Sequence, residues 1–180
     1  MRTDERDVTD EALMERFCQG EQGAFDALFA RHGAAVRAYL WRVTGNRAAA
    51  DDLAQATFLS LVRSRGRFEA GKRFTPWLYA IATNAARDWR RRGKHEQVAD
   101  DGALPEEAVE PTTRDRGLER QVQAAVSQLP EAMREAVVLH WFEGLSFSEI
   151  ADIAGVSESA VKVRAHRGYE KLRESLKGVL

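Results

Sequence analysis

Four residues of one predicted helix carry side chains suited to binding an unpaired nucleic-acid strand. In the segment Phe74–Arg92 (FTPWLYAIATNAARDWRRR), Trp77, Asn84 and Arg91 recur every seven residues and share a helical stripe with Arg87. Unstacked bases need a ring to stack on, an amide for a base edge and cations for the backbone. The stripe therefore predicts a single-strand contact. A contact with another protein is the alternative, because aromatic residues and arginines are also enriched in protein interfaces.

A second set of residues, near the carboxy terminus, has the pattern of a helix-turn-helix. In LSFSEIADIAGVSESAVKVRAHRG, Ala151 is small enough for a helix crossing, Gly155 suits the turn and Val161 anchors the second helix. A helical hairpin that only packs is the alternative. The residues predicted to face a major groove are Ser157, Glu158, Ser159, Lys162, Val163 and His166, and those placed for phosphates are Arg164, Arg167 and Lys171.

The elements that must position these residues are all predicted to be helices, because the apolar spacing is helical throughout and no segment alternates like a strand. Asn46 is predicted to cap a helix that begins near Arg47, and Thr75 to cap one whose first helical residue is Pro76. The inward stripe of that last helix is predicted to comprise Leu78, Ile81, Ala82, Ala85 and Trp89. Four more helices are predicted near Leu118–Gln128, Pro130–Phe142, Ser146–Ile153 and Ser157–Leu176.

The charge distribution divides the chain into two small helical domains, 1–95 and 118–180, joined by a flexible acidic linker at 96–117. Residues 1–95 hold 17 Lys and Arg against 12 Asp and Glu, whereas residues 96–119 hold 2 against 8. The linker has two of the four prolines and no aromatic residue. Basic patches on both sides of an acidic middle indicate two contacts with one polyanion, and solvated helix faces are the alternative.

Composition excludes several classes of protein. With 180 residues and 44% apolar content the chain is globular, and no run approaches the ~18 apolar residues of a membrane span. We therefore expect a cytoplasmic protein without a membrane partner. Cys18 is the only cysteine and is expected to be buried. We expect no metal, no cofactor and no catalytic residue, because ligand spacings, nucleophiles and phosphate loops are missing from the sequence.

Three blocks of the sequence resemble, in order and spacing, the extracytoplasmic-function sigma factors of bacteria. They are Ala50–Gln55 (ADDLAQ), the segment Thr75–Arg92 and the terminal helix-turn-helix. With their flanking helices they cover nearly the whole chain except its extreme amino terminus and the linker. The resemblance implies a transcription initiation factor, not an enzyme, in which 1–95 is sigma region 2 and 118–180 is sigma region 4.

The resemblance also implies partners and roles. The chain is expected to bind core RNA polymerase and promoter DNA, to melt the minus-ten element, and to be controlled by an anti-sigma factor or another signal. Residues expected to dock on the clamp helices of the largest polymerase subunit are Asp51, Asp52, Leu53 and Gln55. Residues expected to bind the melted minus-ten element are Phe68, Lys72, Arg73, Phe74, Trp77, Asn84, Arg87, Arg90 and Arg91. The second domain is expected to bind the minus-thirty-five element as duplex, and the linker to thread towards the RNA exit path.

Two positions depart from the usual pattern of that family. Ala80 stands where a basic residue is frequent, and Val163 where Ser or Thr is commoner. Both departures bear on promoter preference. Three other readings compete with the sigma factor: a factor that binds duplex DNA alone through residues 146–173, a decoy that titrates a regulator, and, least supported, an enzyme.

Overall fold

The computed structural model describes residues 8–99 and 114–177, with side chains described over 8–93 and 117–177. Every regular element in these ranges is helical, which confirms the predicted all-α class. Part of the predicted linker, 100–113, lies outside the described residues. The elements are α1 (Asp10–Cys18), α2 (Gln22–Thr44), α3 (Arg47–Ser64), a short 3-10 turn (Arg65–Arg67), α4 (Phe74–Ala99), α5 (Arg114–Ser127), α6 (Glu131–Val137), a π-helical segment (Val138–Phe142), α7 (Phe147–Ala154) and α8 (Glu158–Ser175).

Helices α1 to α4 form the first domain around a core of apolar side chains. The predicted cap is confirmed, since the Asn46 side-chain oxygen accepts the Ala49 backbone N–H at 2.9 Å. Gly45, which ends α2, has φ +72°, a left-handed conformation that glycine adopts without steric cost. Buried side chains from all four helices include Leu13, Met14, Leu28, Val36, Leu40, Leu53, Leu61 and Leu78.

The start of α4 differs from the prediction. The helix begins at Phe74, so Thr75 and Pro76 lie inside its first turn. A carboxylate oxygen of Glu11, in α1, accepts the Phe74 backbone N–H at 3.0 Å. A side chain 63 residues away thus takes the role that sequence reasoning assigned to Thr75, because any acceptor that reaches a helix amino terminus can satisfy its unpaired donors.

The buried face of α4 is rotated from the predicted one. Leu78 and Ala82 are buried as predicted, but Ile81, Ala85 and Trp89 are only half-buried. Tyr79, Thr83 and Ala86 take the centre of the core face, and the Tyr39 and Thr83 hydroxyls lie 2.7 Å apart there. Polar residues can occupy a core when they satisfy each other's hydrogen bonds, and a hydrophobic pattern does not reveal such pairs.

Helices α5 to α8 form the second domain, and α7 and α8 are the predicted helix-turn-helix. Ser146 and Glu149 form a capping box at the start of α7, Gly155 turns the chain with φ +65°, and Ser157 caps α8. Val161 and Ala165 hold α8 against the rest of the domain. Local capping and packing therefore fix the angle at which α8 leaves the turn.

Gly168→Ala is expected to destabilise the second domain. A Cβ at Gly168 would lie 2.6 Å from a Val137 methyl and 3.4 Å from the Met133 carbonyl oxygen, so α6 and α8 would have to separate. Overpacking of this kind costs about 1–3 kcal/mol. Gly93→Ala is the matched control, because that Cβ would meet nothing within 4 Å and would favour helix by up to about 1 kcal/mol. Urea unfolding measures the free energy of unfolding of both variants. If both substitutions stabilised the protein equally, α6 and α8 could not be in close contact at Gly168.

The two domains pack against each other, and buried apolar residues of both belong to one continuous cluster. Helix α2 contacts α5, α6 and the π-helical segment, while α4 contacts α7. Helix α4 also runs to Ala99, so the last helix of the first domain extends into the predicted linker. The expectation for Cys18 is wrong: its side chain is exposed at the end of α1, and its thiol donates to the Arg65 carbonyl at 3.2 Å.

Candidate nucleic-acid and protein interfaces

An aromatic cluster lies where the loop after α3 meets the start of α4. The rings of Phe68 and Trp77 are 5.2 Å apart at 65°, and both are half-buried. Phe74 lies beneath them, 6.4 Å from each ring, and is fully buried. Phe68 and Trp77 are therefore the rings that a ligand can reach, whereas Phe74, which sequence reasoning placed in the binding set, supports them from the core.

Polar residues from the set predicted to bind the melted strand surround this cluster. Lys72, Arg73, Asn84 and Arg91 are exposed. The Arg91 guanidinium pairs with Asp88 at 3.0 Å, one turn before it on α4. An exposed pair of this kind is weak and easily exchanged for another anion.

Arg87 and Arg90 are only partly exposed, and a carboxylate of the second domain binds both. Glu135, on α6, accepts hydrogen bonds from Arg87 at 2.6 and 3.2 Å and from Arg90 at 2.6 Å. Arg90 also pairs with Glu131 at 3.0 Å. The Glu135 side chain is 8% exposed. Its hydrogen bonds raise the pKa of Arg87 above the ordinary value, so the guanidinium stays charged.

Two further acidic residues of the second domain reach the first. Glu143 accepts a hydrogen bond from the Tyr79 hydroxyl and lies 3.8 Å from the Arg42 guanidinium. Burial raises the pKa of the Glu143 carboxyl above its ordinary value. Glu149 pairs with Arg73. Although burial acts to raise the pKa of Glu149, its hydrogen bonds with Ser146 and the Arg73 charge outweigh that effect and lower it.

These contacts place the amino-terminal part of α4 against α7 of the helix-turn-helix. An open groove of about 560 Å³ lies between them, lined by Phe68, Trp77 and Ala80 on one side and Glu149, Asp152 and Ile153 on the other. The two segments predicted to bind DNA, the start of α4 and the helix-turn-helix, therefore lie next to each other in this structure.

The outer face of α8 is open, as the helix-turn-helix pattern predicts. Arg164 is half-buried, and Val163 is exposed although it is apolar. Lys162 pairs with Glu158 at 2.6 Å within the helix, and His166 lies 3.5 Å from Glu170. The exposed members of the predicted set are Ser157, Glu158, Ser159, Lys162, Val163, His166, Arg167 and Lys171.

The acidic edge of α3 is only partly as predicted. Asp51, Asp52 and Gln55 are exposed, with Arg37 3.7 Å from Asp51. Leu53, from the same predicted set, is 6% exposed and belongs to the core. It holds α3 in place and has no surface to offer a partner in this structure.

Sequence reasoning missed an apolar groove beside that edge. The groove, of about 700 Å³, runs between α2 and α3, and Asp51 and Gln55 line it together with Phe25, Phe29, Phe58 and Leu59. Phe29 and Leu59 are 51% and 50% exposed. Helical periodicity assigns Phe29 to the core, so the sequence carries no signal that separates it from its buried neighbours. Leu59 projects from the side of α3 away from the buried stripe, so periodicity could have identified it as an exposed apolar residue. Apolar side chains gathered beside polar ones mark a protein-binding surface.

Among the described residues there is neither a cluster of metal-binding side chains nor a helix able to cross a membrane. Among them, no three His, Cys, Asp or Glu side chains are grouped closely enough to hold an ion. None of their helices combines the length and apolar character that crossing a bilayer requires.

Two family models match the chain, Sigma-70 region 2 over residues 28–96 and Sigma-70 region 4 over residues 119–172. RNA polymerase sigma factor CarQ of Myxococcus xanthus is 52% identical over 91% of this chain and 95% of its own. The ECF RNA polymerase sigma factor SigW of Bacillus subtilis is 31% identical over 88% and 92%.

One similar solved structure is the sigma factor RpoE of Bartonella quintana in complex with the anti-sigma factor NepR. It is 27% identical, covers 85% of this chain and 96% of its own, and has a TM-score of 0.78. The first domain is about half of the chain, so neither domain alone could give that score. The two domains are therefore placed similarly relative to each other in both proteins.

Proposed function

Because the chain belongs to the extracytoplasmic-function (ECF) sigma factors of bacterial RNA polymerase, we propose that its two domains divide promoter recognition between them. The chain is a transcription initiation factor and not an enzyme, and its partners are core RNA polymerase and promoter DNA. The cytoplasm, where polymerase and promoters meet, is its place of action. Three surfaces of the chain take separate parts of that work.

The amino-terminal part of α4 binds the melted minus-ten element. The observation that carries this assignment is the reachable pair of Phe68 and Trp77, with Lys72 and Arg73 in the adjoining loop. Opening a duplex step costs about 1.4 kcal/mol of stacking, and an aromatic ring replaces part of that loss. Asn84 and Arg91 extend the surface along the helix, and Arg87 and Arg90 join it when Glu135 releases them.

The outer face of α8 binds the minus-thirty-five element as duplex. Its exposed residues include the short polar Ser157 and Ser159 at the start of the helix and basic residues further along it, which suits base edges and phosphates in a major groove. Val163 offers a methyl contact where a hydroxyl would offer a hydrogen bond, so it favours a thymine at its position.

The acidic edge of α3 and the apolar groove beside it bind the clamp helices of the largest polymerase subunit. Asp51, Asp52 and Gln55 provide the polar rim, and Phe29 and Leu59 the apolar centre. Protein interfaces combine these two features, since the apolar centre gives affinity and the charged rim gives orientation.

Control by an anti-sigma factor is part of the proposed function. The similar RpoE structure was solved with the anti-sigma factor NepR, and its domains are placed similarly to those of this chain. A partner that binds this arrangement would hold α4 and α8 away from a promoter. The competing readings of the sequence are weaker, because a duplex-binding factor or a decoy needs neither the reachable rings of α4 nor the groove on α3.

Run-off transcription tests the proposed function. Core polymerase with this chain should initiate at defined sites on a library of bacterial promoter fragments, and core polymerase alone should not. Absence of initiation above the level of core alone would overturn the assignment.

Arg167→Ala is expected to weaken binding of the holoenzyme to upstream duplex and to reduce the salt slope of that binding by about one. Arg167 is exposed on α8, and a phosphate contact releases about one counterion. Arg120→Ala is the control, since Arg120 is exposed on α5, outside the proposed DNA surface. Titrations of a duplex probe at several salt concentrations measure both slopes, and an unchanged slope for Arg167→Ala would remove it from the phosphate contacts.

A further inference from the structure

We propose that the second domain is an intramolecular inhibitor of the first: its carboxylates occupy the cations of α4, and the free chain is closed to DNA until the domains separate. The inference rests on the proposed function, because it takes α4 to be the surface that binds the melted strand. It concerns a contact within the chain and requires no other protein.

Glu135 is the centre of the closed form. One carboxylate receives hydrogen bonds from two arginines 45 and 48 residues away, and both oxygens are used. A DNA phosphate presents the same arrangement of two acceptor oxygens with negative charge, and arginine binds both groups by the same forked geometry. Glu135 therefore holds Arg87 and Arg90 in the way that a phosphate would, and the two ligands exclude each other.

Several other contacts across the boundary are polar, beside the apolar cluster that the two domains share. Arg134 of the second domain donates to the Val43 carbonyl oxygen at 2.9 Å, and Gln123 donates to the Trp41 carbonyl oxygen at 3.2 Å. The Arg42 guanidinium lies 4.5 Å from the centre of the Phe142 ring. The ion pairs and hydrogen bonds of this boundary can be exchanged for water when the domains separate, because each polar group is then solvated again.

The closed form also obstructs access directly. Glu149, Asp152 and Ile153 of α7 face Phe68 and Trp77 across the groove, and Arg73 is paired with Glu149. Because Glu149 takes up the charge of Arg73, this cation is not available to a nucleic-acid backbone. In the closed form α7 therefore restricts access to the two rings and occupies one of the cations beside them.

Neutral side chains at two of these acids should open the chain. The test variant is Glu135→Gln with Glu143→Gln, which keeps the shape of both side chains and removes their charge. Glu149 is left unchanged because it also forms the capping box of α7. The matched control is Glu174→Gln with Glu170→Gln, two exposed acids of α8 whose ion pairs are formed with residues close along the chain.

Energy transfer between dyes on Cys18 and on Ser175→Cys reports the separation of the domains in the full chain. The native Cys18 is exposed in the first domain, and Ser175 is exposed at the end of α8. We expect a clear loss of transfer in the test variant, and at least tenfold tighter binding of a fluorescent single-stranded DNA pool of random sequence. The control variant should match the unmodified protein in both measurements.

Salt provides a second measurement that needs no substitution in the boundary. Raising the salt concentration from about 50 to 500 mM screens the ion pairs and should lower energy transfer in the dye-labelled protein. Unchanged transfer in the test variant, or opening without tighter DNA binding, would overturn the inhibition. Run-off transcription distinguishes the failure of this proposal from the failure of the proposed function. If only the intramolecular inhibition is wrong, the chain still initiates transcription with core polymerase. If the sigma-factor function is wrong, no variant initiates transcription.

Discussion

Trp77→Ala is expected to reduce open-complex formation about tenfold to a hundredfold while leaving association with core polymerase unchanged. The ring lies beside Phe68 at the reachable edge of α4, and Phe74 closes the core beneath it. Stacking of one base on an aromatic side chain contributes about 1–3 kcal/mol. The substitution removes that stacking only after the duplex has opened, so the loss falls on melting and not on docking.

Permanganate reactivity of thymines in the minus-ten element measures melting, and titration of labelled protein with core polymerase measures docking. Trp77→Tyr should retain most of the activity, because it keeps a flat ring at the same position. Trp141→Ala is the matched control: Trp141 is 48% exposed in the second domain, stacked on Tyr169. If Trp77→Ala weakened core binding as much as melting, the face of α4 would belong to the polymerase interface.

Reversing the charge of the α3 edge, with Asp51→Lys and Asp52→Lys together, is expected to weaken association with core polymerase at least tenfold. Both carboxylates are exposed beside the groove that contains Phe29 and Leu59. Placing like charges opposite each other in an interface costs several kcal/mol, whereas losing an exposed attractive pair costs much less. The reversal therefore has a larger effect than alanine at the same positions.

The matched control is Asp26→Lys, on an exposed position of α2 that does not line the groove. Binding of the double variant to single-stranded DNA should equal that of the unmodified protein, because α3 and α4 present different surfaces. The contradicting result is normal core affinity for the double variant, which would leave the acidic edge as solvated surface. Trp77→Ala is thus expected to impair melting without docking, whereas the double variant is expected to impair docking through a different surface.

The features that the sequence predicted correctly depend on neighbours along the chain. Asn46 caps α3 through the Ala49 backbone N–H, three residues ahead, as predicted. The helix predicted near Ser146–Ile153 begins with a capping box between Ser146 and Glu149, which are also three residues apart. Gly155 permits the turn of the helix-turn-helix by its own φ angle. Caps, turns and 3.6-residue periodicity are local interactions, so the order of residues is enough to specify them.

The features that sequence reasoning missed or misplaced depend on partners distant along the chain. Glu11 caps α4 in place of Thr75, and it does so only because α1 packs beside the start of that helix. Phe29 shares the apolar period of the buried residues of α2, yet the path of the chain leaves no described helix above it. A repeating pattern marks apolar positions but cannot state which of them a neighbour covers.

The sequence by itself determined the all-α class, the helix-turn-helix and the concentration of aromatic and basic residues at the start of α4, because each follows from local spacing. Only the tertiary structure decided that Glu135 binds Arg87 and Arg90, since two distant segments of the chain acquire that contact when the second domain packs on the first. Charge counts along the chain show which segments are acidic and which are basic. They do not show the ion pairs, because a pair requires packing that brings a particular carboxylate within hydrogen-bond distance of a particular guanidinium.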